Sequence, residues 1–169
     1  NFFSNAPVQG GSTITQQMIK NLVLTPQKTA LRKLTEIVWA LQVEKAYSKD
    51  KILELYLNSI PYGRNTYGVE AASLAYFGKS ARMLTIAESA YLSSIPQAPT
   101  YYNPEGAHRT DLDGRKNYIL YLMYDQGYIN FDEYKDALQE QVAFKPLDPP
   151  FKAPHFVTWI LDYLADNYD

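Results

Sequence analysis

The residues best suited to chemistry near the start of the chain are the hydroxyl and amide side chains of GGSTITQQ, residues 10–17. Thr13 followed three residues later by Gln16 is a capping box, which predicts a helix starting at the next residue. The free N–H groups of a first helical turn attract anions, and upstream glycines let a ligand approach the backbone. Gln17 and Lys20 can project on the same side as Thr13. The stretch therefore fits either an anion site or an ordinary capped helix, and local sequence leaves both open.

Glu36 is the carboxylate with the most distinctive surroundings. Arg32 precedes it by four residues and Lys33 by three, so the three share one side of a helix. Beside two cations Glu36 would stay ionised, which suits a charge-stabilising group or a metal ligand better than a proton donor. The structural alternative is an exposed ion pair worth at most about 1 kcal/mol. Glu54, between apolar neighbours, is predicted to be buried and paired.

Basic side chains suited to phosphate binding occur on three predicted helices. They are Lys20, Arg32, Lys33, Arg115 and Lys116. If the helices converge, these cations form a pocket for a doubly charged phosphate group. If they diverge, the same residues are ordinary solvated charges.

The composition excludes several other functions. The 169 residues carry a net charge of −2, without the basic excess typical of a nucleic-acid binder, so no nucleic-acid partner is expected. The chain has no cysteine, which excludes disulfides and thiol catalysis, and its two histidines form no HExxH pattern. Its apolar runs are far shorter than the ~20 residues of a membrane-spanning helix. The 15 tyrosines suit a core with a wet edge, a sugar-stacking cleft or a membrane headgroup layer.

The elements that must position these residues are predicted to be helices, delimited by apolar spacing, capping residues and glycine or proline stops. In residues 29–47 the apolar side chains form one stripe, made of Leu31, Leu34, Ile37, Val38 and Leu41. The predicted helices start near Ile14, span residues 29–47, follow Ser48 towards Pro61, and then span 69–78, 86–94 after a Thr85–Glu88 capping box, 112–126 and 130–140. Residues 145–154 hold four prolines and should run extended before a last helix over about 156–166. No period-two run is long enough for a sheet, so a mainly α fold is expected.

Five motifs occur in a fixed order: GGSTITQQMIKN, RKLTE, KDKILELYLN, YGVEAASLAYFGK and RKNYIL. Together they resemble the peptidoglycan glycosyltransferase domain, glycosyltransferase family 51, of class A penicillin-binding proteins and monofunctional enzymes. The resemblance spans about residues 9–141. It implies a mainly α, lysozyme-like multi-helix domain with little or no sheet.

The resemblance also implies an activity and a location. Members of this family polymerise a lipid-linked disaccharide-peptide precursor into glycan strands, inverting the anomeric carbon as undecaprenyl pyrophosphate leaves. The implied partners are this precursor, the growing glycan strand and the surface of the bacterial cell membrane on its extracytoplasmic face. A covalently linked transpeptidase domain is a further partner in bifunctional members. Mg²⁺ or another divalent cation is the implied cofactor, since magnesium prefers oxygen ligands and phosphates.

Site residues are implied position by position. Glu36 matches the family's second essential glutamate, near the donor pyrophosphate and a divalent metal, and is thus the implied catalytic residue and metal ligand. Lys116 stands where a second arginine is often found, and a lysine keeps the charge but loses the bidentate fork. The implied substrate-binding set is Ser12, Thr13, Gln16, Gln17, Lys20, Asn21, Arg32, Lys33, Asn58, Arg115 and Lys116.

The family's first motif, which supplies the general-base glutamate, has no match in this sequence. It lies upstream of GGSTITQQ in the family, whereas only nine residues precede Gly10 here and none is acidic. We therefore expect residues 1–141 to form a glycosyltransferase domain lacking its N-terminal catalytic segment. Residues 142–169 are expected to form a proline-rich linker and helix leading towards a downstream domain.

Two other classes of function stay open at this point. A lysozyme-like glycan-cleaving enzyme needs a carboxylic acid held protonated beside the scissile bond, and Glu36 between two cations is badly placed for that. A non-catalytic module that binds the precursor would need no general base at all.

Overall fold

The computed structural model describes residues 12–22, 30–146, 159–160 and 163–164. The longest helices are α2 and α6, of 17 residues each, and across the described ranges the secondary structure is helical apart from one isolated bridge between Pro61 and Tyr67. The mainly α fold is therefore confirmed. In chain order the helices are α1 (Ile14–Leu22), α2 (Ala30–Ala46), α3 (Lys49–Ser59), α4 (Val69–Phe77), α5 (Ile86–Ser94), α6 (Arg109–Asp125) and α7 (Phe131–Gln139), with short 3-10 turns at Ala81–Met83 and Ile95–Gln97.

The helix boundaries follow from local chemistry. Ser48 Oγ accepts a hydrogen bond from Lys51 N at 3.3 Å and caps α3 as predicted. The Thr85–Glu88 capping box is complete, because Thr85 Oγ1 accepts from Glu88 N and Glu88 Oε2 accepts from Thr85 N. Gly78 ends α4 in the left-handed conformation at φ 71°.

Two sequence-based expectations are wrong in detail. Helix α6 starts at Arg109 and not at Leu112, because its first turn is polar and carries no apolar periodicity. Glu54 is not buried: its side chain is 57% exposed and pairs with Lys51 on the surface. The predicted proline-rich extended stretch and most of the last helix lie outside the described residues, although Trp159–Ile160 and Tyr163–Leu164 are helical.

The core has two parts that share α5 and α6. One gathers Tyr62, Tyr76, Tyr91, Leu112 and their neighbours beneath the cleft described below. The other packs the opposite side of α5 against α6 and α7, around Leu120. Helices α5 and α6 therefore connect the two parts of the core.

Helix α2 exposes its apolar stripe and buries a different face. From Leu31 to Ala46, the part of this helix whose side chains the structure describes, Glu36 and Ala40 are buried, whereas Leu31 is 76% exposed. The other stripe residues are also exposed within the described part of the chain, namely Leu34, Ile37, Val38 and Leu41, together with Trp39. The apolar periodicity correctly indicates a helix but not the face that this helix buries.

Candidate functional site

An open cleft of about 900 Å³ runs between α1, α3, α5 and the loop after α3. Its walls combine amide and hydroxyl groups with apolar side chains. The residues that line it are Ser12, Gln17, Lys20, Asn21, Tyr56, Leu57, Ile60, Pro61, Tyr62, Val69, Ala81, Leu84, Ser89, Leu92, Ser93, Pro96, Gln97, Pro99 and Arg115.

The start of α1 forms one end of the cleft. Gln17 is held in place there, because its Nε2 donates to Ser12 O at 3.2 Å while its Oε1 accepts from Tyr56 Oη at 3.2 Å. Thr13 Oγ1 caps the helix by accepting from Gln16 N at 3.2 Å. The Gln16 side chain has a different partner from the one predicted, since its Oε1 accepts from Lys33 Nζ at 3.3 Å.

The charge of the described lining is positive. Lys20 and Arg115 are its two ionised residues, and no carboxylate belongs to this part of the wall. Arg115 is oriented by its Nε, which donates to Ser94 O at 3.2 Å, and by stacking of its guanidinium 5.5 Å from the centre of the Tyr102 ring. Two cations from helices far apart in sequence therefore meet at one cleft, as an anionic ligand would require.

Glu36 and Lys33 form an ion pair beside the start of α1. Lys33 Nζ contacts Glu36 Oε1 and donates to Ser12 Oγ at 3.0 Å. Glu36 is only 2% exposed, whereas the Lys33 side chain is 46% exposed. The pair is thus no ordinary surface ion pair, because its carboxylate is desolvated and Lys33 joins it to a cleft residue, Ser12.

Two tyrosines of the wall are neutral hydrogen-bonding groups. Burial raises the pKa of Tyr62, with a smaller contribution from Tyr56, and burial also raises the pKa of Tyr56. Both phenols therefore stay protonated at neutral pH. Sequence reasoning missed them as site residues, although the position of Tyr56 within the KDKILELYLN motif was a usable signal.

The predicted site residues divide into three groups. Ser12, Gln17, Lys20, Asn21 and Arg115 line the cleft. A second set is outside the described lining and is connected to the cleft residue Ser12 at the start of α1: Thr13, Gln16, Lys33 and Glu36.

The third group consists of residues outside the cleft lining. Lys116 is buried beneath the Tyr91 ring, 5.4 Å from its centre, and burial lowers its pKa. The Asn58 side chain donates to Glu54 O within its own helix. Arg32 is also outside the described lining. The substrate roles implied for these residues remain predictions.

The described residues do not form a metal site by themselves. No group of three or more His, Cys, Asp or Glu side chains in the described ranges lies close enough to hold an ion. Glu36 offers one carboxylate, and Lys33 already contacts it. Magnesium commonly binds through one carboxylate together with phosphate oxygens of a ligand, so Glu36 fits that ion only as a ligand shared with a bound diphosphate.

Comparison with known proteins agrees with this architecture. The family model described as Transglycosylase matches residues 1–124. Penicillin-binding protein 1A of Aquifex aeolicus is 39% identical over 168 residues, covering 99% of this chain and 23% of the relative. Penicillin-binding protein 1F of Bacillus subtilis is 49% identical over 126 residues, covering 75% of this chain and 18% of the relative.

A solved structure gives the same answer for the fold. The crystal structure of penicillin-binding protein 1A from Haemophilus influenzae matches with a TM-score of 0.60 and 27% identity, over 92% of this chain and 20% of that one. The chain thus spans about a fifth of the length of the relatives it matches. Motif order, helical architecture and a match over most of its length agree that the chain belongs to the transglycosylase family.

Proposed function

We propose that this chain is a peptidoglycan glycosyltransferase domain that extends glycan strands from a lipid-linked disaccharide diphosphate. The observation that carries the proposal is the convergence of Lys20 and Arg115 on a cleft whose described lining holds no carboxylate. The family match and the penicillin-binding relatives support the same activity.

The geometry suggests how the cleft would serve this reaction. Departure of a diphosphate places negative charge on its oxygens, and fixed cations beside them lower the barrier. Lys20 and Arg115, from two different helices, supply two such cations in the cleft lining. Gln17, held by Ser12 and Tyr56, is suited to orient sugar or phosphate groups without reorganisation.

Glu36 is proposed to act beside the start of α1 as a charge-stabilising residue. It is buried and paired, so its negative charge keeps Lys33 at the start of α1. Magnesium, when bound with the diphosphate, would neutralise phosphate charge. Glu36 would be the one carboxylate among the described residues to bind that magnesium ion.

The proposed glycosyltransferase reaction takes place at a membrane surface. No helix in the described ranges is long and apolar enough to cross a bilayer. The exposed leucines of α2 form an apolar surface suited to the interface of a bilayer. The extracytoplasmic face and a linked transpeptidase domain are proposed from the penicillin-binding relatives.

The first experiment measures binding and chain growth with a fluorescent lipid-linked disaccharide diphosphate, with and without Mg²⁺. Lys20→Met should weaken binding at least tenfold, because it removes one of the two cleft cations. Lys49→Met, a change of the same kind on the exposed start of α3, is the matched control and should bind as the wild type does. Equal affinity of the two variants would contradict the proposed cleft.

The role of Glu36 is tested separately in a chain extended upstream to include the family's first motif. Glu36→Gln should abolish polymer formation while the precursor still binds. Polymer at a near-normal rate in this variant would contradict the role given to Glu36.

A further inference from the structure

The loop between α3 and α4 is a tight hairpin that forms part of the cleft wall. Tyr62 N donates to Thr66 O at 3.0 Å, and Thr66 N donates to Gly63 O at 2.8 Å. The two residues at its tip, Arg64 and Asn65, both have positive φ, at 49° and 54°. Two consecutive positive φ angles define a type I′ turn, whose central positions favour glycine and asparagine.

Arg64 is therefore an unfavourable residue for its own backbone. Positive φ is sparsely populated by bulky residues and persists where the surrounding structure holds it. A glycine at this position would relieve the backbone, so the presence of arginine points to a need for its side chain.

That side chain is buried, at 5% exposure, and has partners on three other segments. Its Nη1 donates to Ala75 O at 2.7 Å on α4 and to Lys145 O at 3.0 Å. Its Nη2 lies 2.9 Å from Glu105 Oε1. The planar guanidinium is suited to such a divergent set of acceptors, which a single ammonium cannot satisfy together.

Arg64 also supports the tyrosine that fixes the cleft wall. Its guanidinium carbon lies 4.4 Å from the centre of the Tyr76 ring, and Tyr76 Oη donates to Tyr62 O at 2.7 Å. A Cβ atom at Gly63 would lie 3.0 Å from the same Tyr76 Oη, so the hairpin is seated closely on this ring. Pro61 and Tyr62 belong to the cleft wall.

We propose that Arg64 is a positioning residue for the cleft: it clamps the hairpin to α4 and the segment at Lys145, and thereby holds Pro61 and Tyr62 in place as a wall. Arg64 is outside the described cleft lining and does not itself contact the ligand in this role. The first half of the proposal concerns the free protein, and only the effect on precursor binding rests on the proposed function.

The test compares Arg64→Gly with Asn65→Gly in the whole chain. Both changes put glycine at a positive-φ position of the same turn, but Asn65 is exposed, so its replacement removes no clamp. Amide hydrogen exchange of Tyr62, Thr66 and Gly68, whose N–H groups bond within or beside the hairpin, reports the wall without any ligand. Relative to the wild type, Arg64→Gly should accelerate exchange at these amides at least tenfold more than at the amides of α6. Asn65→Gly should accelerate it less than twofold.

Binding of the fluorescent lipid-linked disaccharide diphosphate, measured where every variant is fully folded, gives the second readout. Arg64→Gly should weaken binding at least fivefold, Arg64→Lys should lie between it and the wild type, and Asn65→Gly should be unchanged. Unchanged exchange in Arg64→Gly, or acceleration spread evenly over the chain, would overturn the proposal. Local acceleration with unchanged affinity would overturn the cleft role.

A wild type that binds no precursor, together with local acceleration in Arg64→Gly, gives a different result. It would support the clamp while refuting the proposed function.

Discussion

The Lys33–Glu36 pair permits a sharp test, because the chain contains a matched pair in a different environment. Lys51 and Glu54 have the same i,i+3 spacing, with Nζ 2.9 Å from Oε1, and the lysines are equally exposed at 46%. The carboxylates differ: Glu36 is 2% exposed and Glu54 is 57% exposed. Lys33 also donates to Ser12 and Gln16, so the single variants report these contacts as well, and the coupling energy of a double-mutant cycle is the quantity that reports the burial of the glutamate.

The expected magnitudes follow from this burial. Removing one partner of a fully buried pair costs about 3–5 kcal/mol, and because Lys33 is half-exposed we expect Lys33→Met to cost about 2 kcal/mol. Glu36→Gln removes the buried charge as well, so the double variant should recover part of that loss. The coupling energy of the cycle should be about 1.5 kcal/mol, against about 0.5 kcal/mol or less for the exposed pair.

The assay is urea unfolding of the wild type, the two single variants and the double variant, for each of the two pairs. Free energies of unfolding at neutral pH and equal ionic strength give both coupling energies. Additivity of Lys33→Met and Glu36→Gln within about 0.4 kcal/mol would refute the reasoning, because it would mean that the buried carboxylate does not depend on its lysine.

Three further predictions concern the helices α5 and α6 that connect the two parts of the core. Lys116→Met should raise the melting temperature at pH 7, because burial lowers the pKa of Lys116 from 10.5 and so makes its charged form costly in the folded protein. The unfolded chain then binds more protons than the folded one, so the stability of the wild type rises with pH in the window below 10.5. The advantage of the variant should therefore shrink as the pH approaches 10.5. Melting curves of both proteins at pH 7 and pH 9.5 check this, and an equal advantage at both would count against it. Thr85→Ala should cost about 1 kcal/mol in urea unfolding, since it removes the cap of α5. Leu120→Ala should lower the free energy of unfolding by about 3 kcal/mol, because Leu120 of α6 is fully buried against α5 and α7. A loss below about 1 kcal/mol would mean that neighbouring side chains move in to fill the cavity.

Much of the local structure could be predicted from the sequence because it depends on short-range chemistry. The caps at Ser48 and Thr85 and the glycine stop at Gly78 are properties of neighbouring residues, and each is confirmed. The apolar spacing predicts the start of α6 at Leu112, three residues after its true start at Arg109, because a polar first turn has no periodic signal. Apolar spacing in α2 identified the helix and missed its orientation, since periodicity does not say what lies opposite a stripe.

The candidate site shows the same division. Motif order was enough to indicate the family, and residue types were enough to nominate Lys20, Arg115 and Glu36. Which cations meet depends on helix packing, and only the tertiary structure brings Lys20 and Arg115 to one cleft while turning Lys116 into the core. Adjacent residues on a helix point about 100° apart, so the orientation of α6 decides between them.

The sequence by itself determined the helices, their caps and the family, because these depend on residues close together or on motifs in order. The tertiary structure alone decided the burial of Glu36, the positive cleft and the clamp at Arg64. Each of these depends on contacts between residues far apart in the chain, such as Arg64 with Lys145, and the free energy of such contacts is set by desolvation and geometry that no local pattern records.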